Sequence, residues 1–80
     1  MPTILRRDGF RFYFFSNEGE EPPHVHVDRA GATAKLWLRP VAVVRALGFN
    51  AKDLAAVIGL VREHRTAFEE AWDDHFGRGS

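Results

Sequence analysis

The chain contains no cysteine. That absence excludes a disulfide framework, a thiolate zinc site and a cysteine nucleophile, and it fits a reducing compartment such as the cytoplasm. Long apolar runs are missing too. The N-terminal "MPTILRRDGFRF" lacks the apolar stretch of a signal peptide, and no segment approaches the roughly 18 apolar residues of a membrane span. A soluble cytoplasmic protein with no membrane contact is the expectation. Nor does charge of one sign prevail: eleven basic and eleven acidic side chains cancel. No global field therefore recruits nucleic acid or membrane, and any basic surface must be sought face by face. The sequence also shows no repeat, no low-complexity segment, no phosphate loop, no serine triad and no paired-carboxylate glycosidase pattern.

What is present suits one small domain over residues 1–80. A chain of this length buries only about two-thirds of the surface that its unfolded form exposes, which leaves little room for a deep cleft. Hydrophobic residues make up 45% of the chain, including seven phenylalanines, two tryptophans and one tyrosine, enough for a folded core.

Thr3 to Arg6 reads as a short strand, "RDG" as a tight turn and Phe10 to Phe15 as a second strand, the two pairing as a hairpin. An acidic, proline-closed segment follows, "SNEGEEPP". His24 to Asp28 alternates as a third strand, "RAGA" turns at Gly31, and Thr33 to Leu38 forms a fourth that stops at Pro40. "VAVVRALG" fits either a strand or a helical turn. From Asn50, a good N-cap, apolar residues recur at helical spacing through Leu54, Val57, Ile58, Val61, Phe68, Trp72 and Phe76. The expected architecture is α+β: a small antiparallel sheet of about four strands packed on one long C-terminal helix that runs to about His75.

Alternation sorts the strand residues onto two faces. Phe10, Phe12, Phe14, Val25, Val27, Ala34, Leu36 and Leu38 share the face that covers the helix. Arg11, Tyr13, Phe15, His24, His26, Lys35, Trp37 and Arg39 share the other, for which no second helix is available, so it is expected to stay open. His24 and His26 point the same way, about 7 Å apart along their strand, among aromatic rings and basic side chains. Pro22 and Pro23 present them from a rigid base.

Three readings of this face compete. His24 and His26 can chelate a divalent transition metal, with Glu18, Glu20 or Glu21 adding an oxygen, or they can be a surface pair that binds metal only weakly. His64 and His75, roughly 16 Å apart along the helix, cannot both join them. Alternatively, Tyr13, Phe15 and Trp37 stack on RNA bases while Arg11, Lys35 and Arg39 meet phosphates, and His24 or His26 transfers a proton in cleaving RNA. The third reading is an interface with a second copy of the chain or a small partner protein, which large rings on an uncovered sheet often mark. On the helix, Arg65 falls near the middle of the apolar stripe, where it should either pair with a carboxylate or cross the layer toward the site, or, as the preferred expectation, pack its stem while its guanidinium reaches past the end of the short sheet. His64 lies at the stripe's edge as a partly buried, satisfied histidine.

Through "MPTILRRDGFRFYFFSNEGEEPPHVHV", "AKLWL" and "LVREHRTAFEEAW", the chain resembles the bacterial domain-of-unknown-function family numbered 4160, most specifically in "SNEGEEPPHVHV". The resemblance implies the extent of the fold and the importance of His24 and His26, and it supplies no reaction. Small members of the family resemble components of bacterial toxin–antitoxin modules in size and genetic setting. A fainter similarity to small RNA-cleaving toxins transfers only His24 or His26, as a catalytic base; "HVH" departs from their glycine-serine-histidine context. The resulting expectation is a toxin-like protein that binds or cleaves RNA through the histidine-bearing face. Its alternative is a non-enzymatic interaction module that uses the same face, and a transition-metal-binding protein stands third. No cofactor is required by any of these except the metal in the last.

Overall fold

The computed structural model describes residues 3–15 and 18–77. Five strands, β1 (Thr3–Arg7), β2 (Phe10–Tyr13), β3 (His24–Arg29), β4 (Ala32–Leu38) and β5 (Val41–Leu47), precede two helices, α1 (Ala51–Glu63) and α2 (Arg65–Phe76). The strands form one antiparallel sheet in the order β1-β2-β3-β4-β5, so each pairs with its neighbours in the chain.

Local chemistry accounts for the tight hairpins. Arg7 pairs with Phe10 across Asp8 and Gly9, whose φ values of 54° and 83° are both left-handed. Arg29 pairs with Ala32 across Ala30 and Gly31 at 48° and 86°. Two left-handed central residues give the two-residue turn whose twist matches that of the flanking strands. In the third connection, Leu38 pairs with Val41 across Arg39 and Pro40, whose peptide bond is cis.

The fifth strand corrects the expected count of about four. Val41–Leu47 pairs with β4 along its length, from Leu38↔Val41 to Thr33↔Leu47. A continuous apolar run has no period that separates strand from helix, so the open edge of β4 made the choice. Phe10–Phe15 was expected to be extended throughout, but β2 ends at Tyr13.

The single long helix is also corrected. The helix breaks at His64, whose φ of −102° and ψ of 12° close α1 with a bond from its N–H to the Leu60 carbonyl, while its own carbonyl accepts from Phe68 N–H. A straight helix over both segments would span about 39 Å, and a seven-residue strand only about 24 Å. The break brings Phe68 and Trp72 back over the sheet. Arg65 stands about half exposed at 51% and pairs with Glu69 at 3.4 Å, so it finds a carboxylate and does not pack its stem. His64 is partly buried as expected, beside Phe68, and accepts a long contact of 3.5 Å from Arg7 Nη1.

All eight residues assigned to the helix-facing side of the sheet are buried. Phe10, Phe12, Val25, Val27, Ala34, Leu36 and Leu38 meet Val57 and Val61 of α1 and Phe68 of α2, making a two-layer core. Asn50 caps α1, its Oδ1 accepting from Asp53 N–H at 2.8 Å. Asn50→Ala is expected to cost about 1 kcal/mol, and Asn50→Asp to cost much less; equal loss in urea unfolding of the two variants would reject the cap. Among the described residues no helix is long and apolar enough to cross a membrane.

Candidate functional site

Alternation along β3 sends Val25 and Val27 into the core and His24 and His26 to the opposite side, as expected. The side they reach is not open. His24 is 0% exposed and His26 4%, and Tyr13 and Lys35 are buried with them. What covers them is the stretch over residues 18–23, which returns to lie against the strand with Glu18 turned inward while Glu20 and Glu21 stay exposed. Turn-like bonds tighten it, from Glu18 N–H to the Phe15 carbonyl and from Glu21 N–H to the Glu18 carbonyl. Its exit is tied down where Leu38 N–H donates to the Pro23 carbonyl at 3.1 Å. Gly19 lies so close to α2 that a Cβ there would come within 2.5 Å of the Phe76 ring. Ser16 and Asn17 of the acidic segment lie outside the described residues.

Glu18 is the side chain that this return delivers. Its Oε1 lies 2.8 Å from His24 Nε2 and 2.8 Å from His26 Nε2. His24 Nδ1 donates to the Pro22 carbonyl at 3.0 Å. Aromatic rings wall the group: Tyr13 stacks on His26 with centroids 5.4 Å apart, Phe15 meets His26 edge-on at 4.8 Å, and Trp72 and Trp37 flank His24 at 4.9 and 5.8 Å. Below them, Lys35 Nζ donates to Glu21 Oε1 at 2.6 Å and lies 5.0 Å from the centre of the Trp37 ring.

The electrostatics follow from these contacts. Burial alone would push the Glu18 carboxyl up, but its contacts with the His24 and His26 imidazoles outweigh it and hold the group below its ordinary value. Burial draws the His26 imidazole below its ordinary value, and the hydrogen bond to Glu18 offsets part of this. The hydrogen bond from Lys35 lowers the Glu21 carboxyl. Glu18, His24 and His26 are thus a compact ionisable cluster under a lid, with their nitrogen and oxygen donors turned toward one another.

Of the residues expected to bind substrate, Tyr13, Phe15, Lys35 and Trp37 surround this cluster. Arg11 lies one pair further along the sheet, 4.0 Å from Asp28 and over the Tyr13 ring. Arg39 does not join it: this residue follows β4, is exposed, and its guanidinium pairs with Glu69 of α2. Asp28 was overlooked, although it continues the alternation of His24 and His26 and accepts from the Tyr13 hydroxyl at 2.9 Å. The period of two could have found it. No local signal points to Trp72 beside His24 or to Glu69 beside Arg39, because both contacts span long stretches of chain. A cleft of about 560 Å³, lined in part by Glu20, Pro22, Arg39, Trp72 and Asp73, lies outside the lid and does not open onto the histidines.

No curated protein and no solved structure matched the chain. The family model described as "Domain of unknown function (DUF4160)" matches residues 9–73, a stretch that takes in the returning segment, the histidine strand, α1 and most of α2. Because that match spans most of the chain and contains the whole Glu18–His24–His26 cluster, the chain belongs to this family of unknown function.

Proposed function

We propose that the chain is a non-enzymatic protein-interaction module of a bacterial toxin–antitoxin-type system, acting in the cytoplasm, and that it self-associates through β5. One observation carries this reading. Of the four large apolar side chains that stay exposed among the described residues, Val43, Val44 and Leu47 are all on β5, an edge strand. Natural edges are usually guarded by charge. The opposite edge, β1, has Arg6 and Arg7, whereas the only charge on β5 is Arg45. In an antiparallel two-fold pairing centred on Val44, Arg45 lies opposite Val43 of the second copy, so the like charges do not meet. The irregular register between Lys35 and Leu36 makes Val44 an extra residue in β5, a bulge that interrupts the regular edge, so the contact between copies rests on the apolar side chains of Val43, Val44 and Leu47 more than on an unbroken ladder.

RNA cleavage has less support. The two imidazoles are almost wholly out of solvent, and a general base must reach the proton that it abstracts. The three candidate phosphate contacts each face a carboxylate already: Arg11 with Asp28, Lys35 with Glu21 and Arg39 with Glu69.

Light scattering over a wide concentration range tests the proposal. The parent should form dimers, and Val44→Lys or Leu47→Lys should weaken association by about tenfold or more. Both variants should keep the parent's melting behaviour, and total RNA should stay intact. A parent that is monomeric throughout, or dimers that survive both lysines, would reject β5 as the contact. RNA cleavage that disappears in His26→Ala would reinstate the nuclease.

A further inference from the structure

The hydrogen-bond arithmetic at His24 does not close with a neutral imidazole and an ionised Glu18. The Pro22 carbonyl can only accept, so Nδ1, at 3.0 Å, carries a hydrogen. A neutral imidazole then has a lone pair at Nε2. Yet Nε2 lies 2.8 Å from Oε1 of Glu18, a carboxylate that also offers only lone pairs. Two acceptors do not approach so closely unless a proton or a metal ion stands between them: a proton makes His24 an imidazolium paired with Glu18, and a divalent ion holds the carboxylate and the imidazole together. His26 Nε2 converges on the same oxygen at 2.8 Å, and the three donor atoms lie within 4.8 Å of one another.

We infer that Glu18, His24 and His26 form a divalent transition-metal site that fastens the acidic segment onto the histidine strand. Two imidazole nitrogens and one carboxylate oxygen are a donor set that zinc takes readily, and the absence of an all-oxygen shell disfavours calcium and magnesium. The Pro22 carbonyl behind His24 is the outer contact that metal-bound histidines characteristically have, fixing both tautomer and ring orientation. Bonds of about 2.0–2.2 Å place tetrahedral donors about 3.3 Å apart, so Oε1 draws back by about half an ångström from each imidazole, the two Nε2 atoms, within 4.8 Å of each other, settle at the same spacing, and a fourth position falls to water.

The surroundings favour this cluster over the other histidines. His64 Nε2 already faces the Arg7 guanidinium, and His75 lies on α2 beside Phe14 and Phe76. Access is from the side of Glu18, whose side chain is 18% exposed while that of His24 is closed off. The consequence reaches beyond the ligands, because the covering segment also holds Lys35 through Glu21 and packs Gly19 on Phe76. An ion bound here ties that segment, the sheet and α2 into one unit.

The test is titration of the metal-free full chain with zinc and, separately, with cobalt. One ion should bind per chain, cobalt should give the visible absorption of a four-coordinate site, and the amides of residues 18–23 should exchange more slowly with metal than without it. Glu18→Gln and His26→Ala should each weaken binding by about a hundredfold or more, whereas His75→Ala should leave it unchanged. Glu18→Gln alters a partly exposed side chain at nearly constant volume, so it decides the matter if His26→Ala fails to fold. Substoichiometric binding, equal loss in His75→Ala, or unchanged binding in Glu18→Gln would overturn the site. So would nitrogen-15 spectra showing His24 protonated at both nitrogens and unaffected by excess zinc.

Discussion

Replacing Trp72 by alanine is expected to lower the unfolding free energy by about 3–5 kcal/mol, which in a domain of this size lowers the melting temperature by on the order of 12 °C or more. The indole is only 5% exposed. It packs on Phe14 at 5.5 Å and Phe76 at 4.2 Å, and its other neighbour is the His24 ring at 4.9 Å. The aromatic cluster at the end of α2 and the histidine cluster therefore share this side chain. Removing it should disturb both, so the imidazole resonances of His24 should shift in the folded variant. A variant that melts within a degree or two of the parent would show that α2 does not pack on the sheet.

Phe12→Ala should cost a similar amount, about 3–5 kcal/mol, for a different reason. Phe12 is 0% exposed at the middle of the two-layer core, where its ring lies 5.3 Å from Phe68 and 6.4 Å from Phe10. Its loss leaves a cavity between sheet and helix that neither layer can fill. Since small domains have only about 5–15 kcal/mol of stability in all, Phe12→Leu, which leaves a smaller cavity, is the companion variant if the alanine form does not fold. The Phe12 ring packs on Phe10 and Phe68 on the helix-facing side of the sheet, opposite the side that His24 and His26 reach. Urea unfolding should thus report a loss comparable to that of Trp72→Ala while the His24 resonances stay near their parental positions. Equal shifts of His24 in both variants would mean that core and site respond as one body.

The identity of the strand side chains that face the helices was legible in the sequence because it follows from a period of two along each strand, a property that needs no partner; the burial of Tyr13, His24, His26 and Lys35 on the other face was not. The two glycine turns and the cap at Asn50 were legible for the same reason: each depends on a backbone conformation or a hydrogen bond spanning a few residues. Period two also put His24 and His26 together on one face. It could not say whether that face was open, since what covers it is the segment before His24, and a loop's path is fixed by what it lands on.

Nor could composition choose among Glu18, Glu20 and Glu21. The three carboxylates are chemically near-equivalent, and only the path of the chain puts Glu18 between the imidazoles and Glu21 on Lys35. Arg39 was placed by alternation on the histidine face, but it lies just beyond the end of β4, where alternation no longer holds, and Glu69 claims it. The fifth strand was settled by an available edge. The break at His64 was settled by the mismatch between a long helix and a short sheet. By itself, then, the sequence determined what is governed by neighbours a few residues apart: strand periodicity, turns, the helix cap, the core face and the pairing of the two histidines. Tertiary structure alone decided the lid, the choice of Glu18, the partner of Arg39 and the two-helix layer, because each depends on groups brought together from distant parts of the chain.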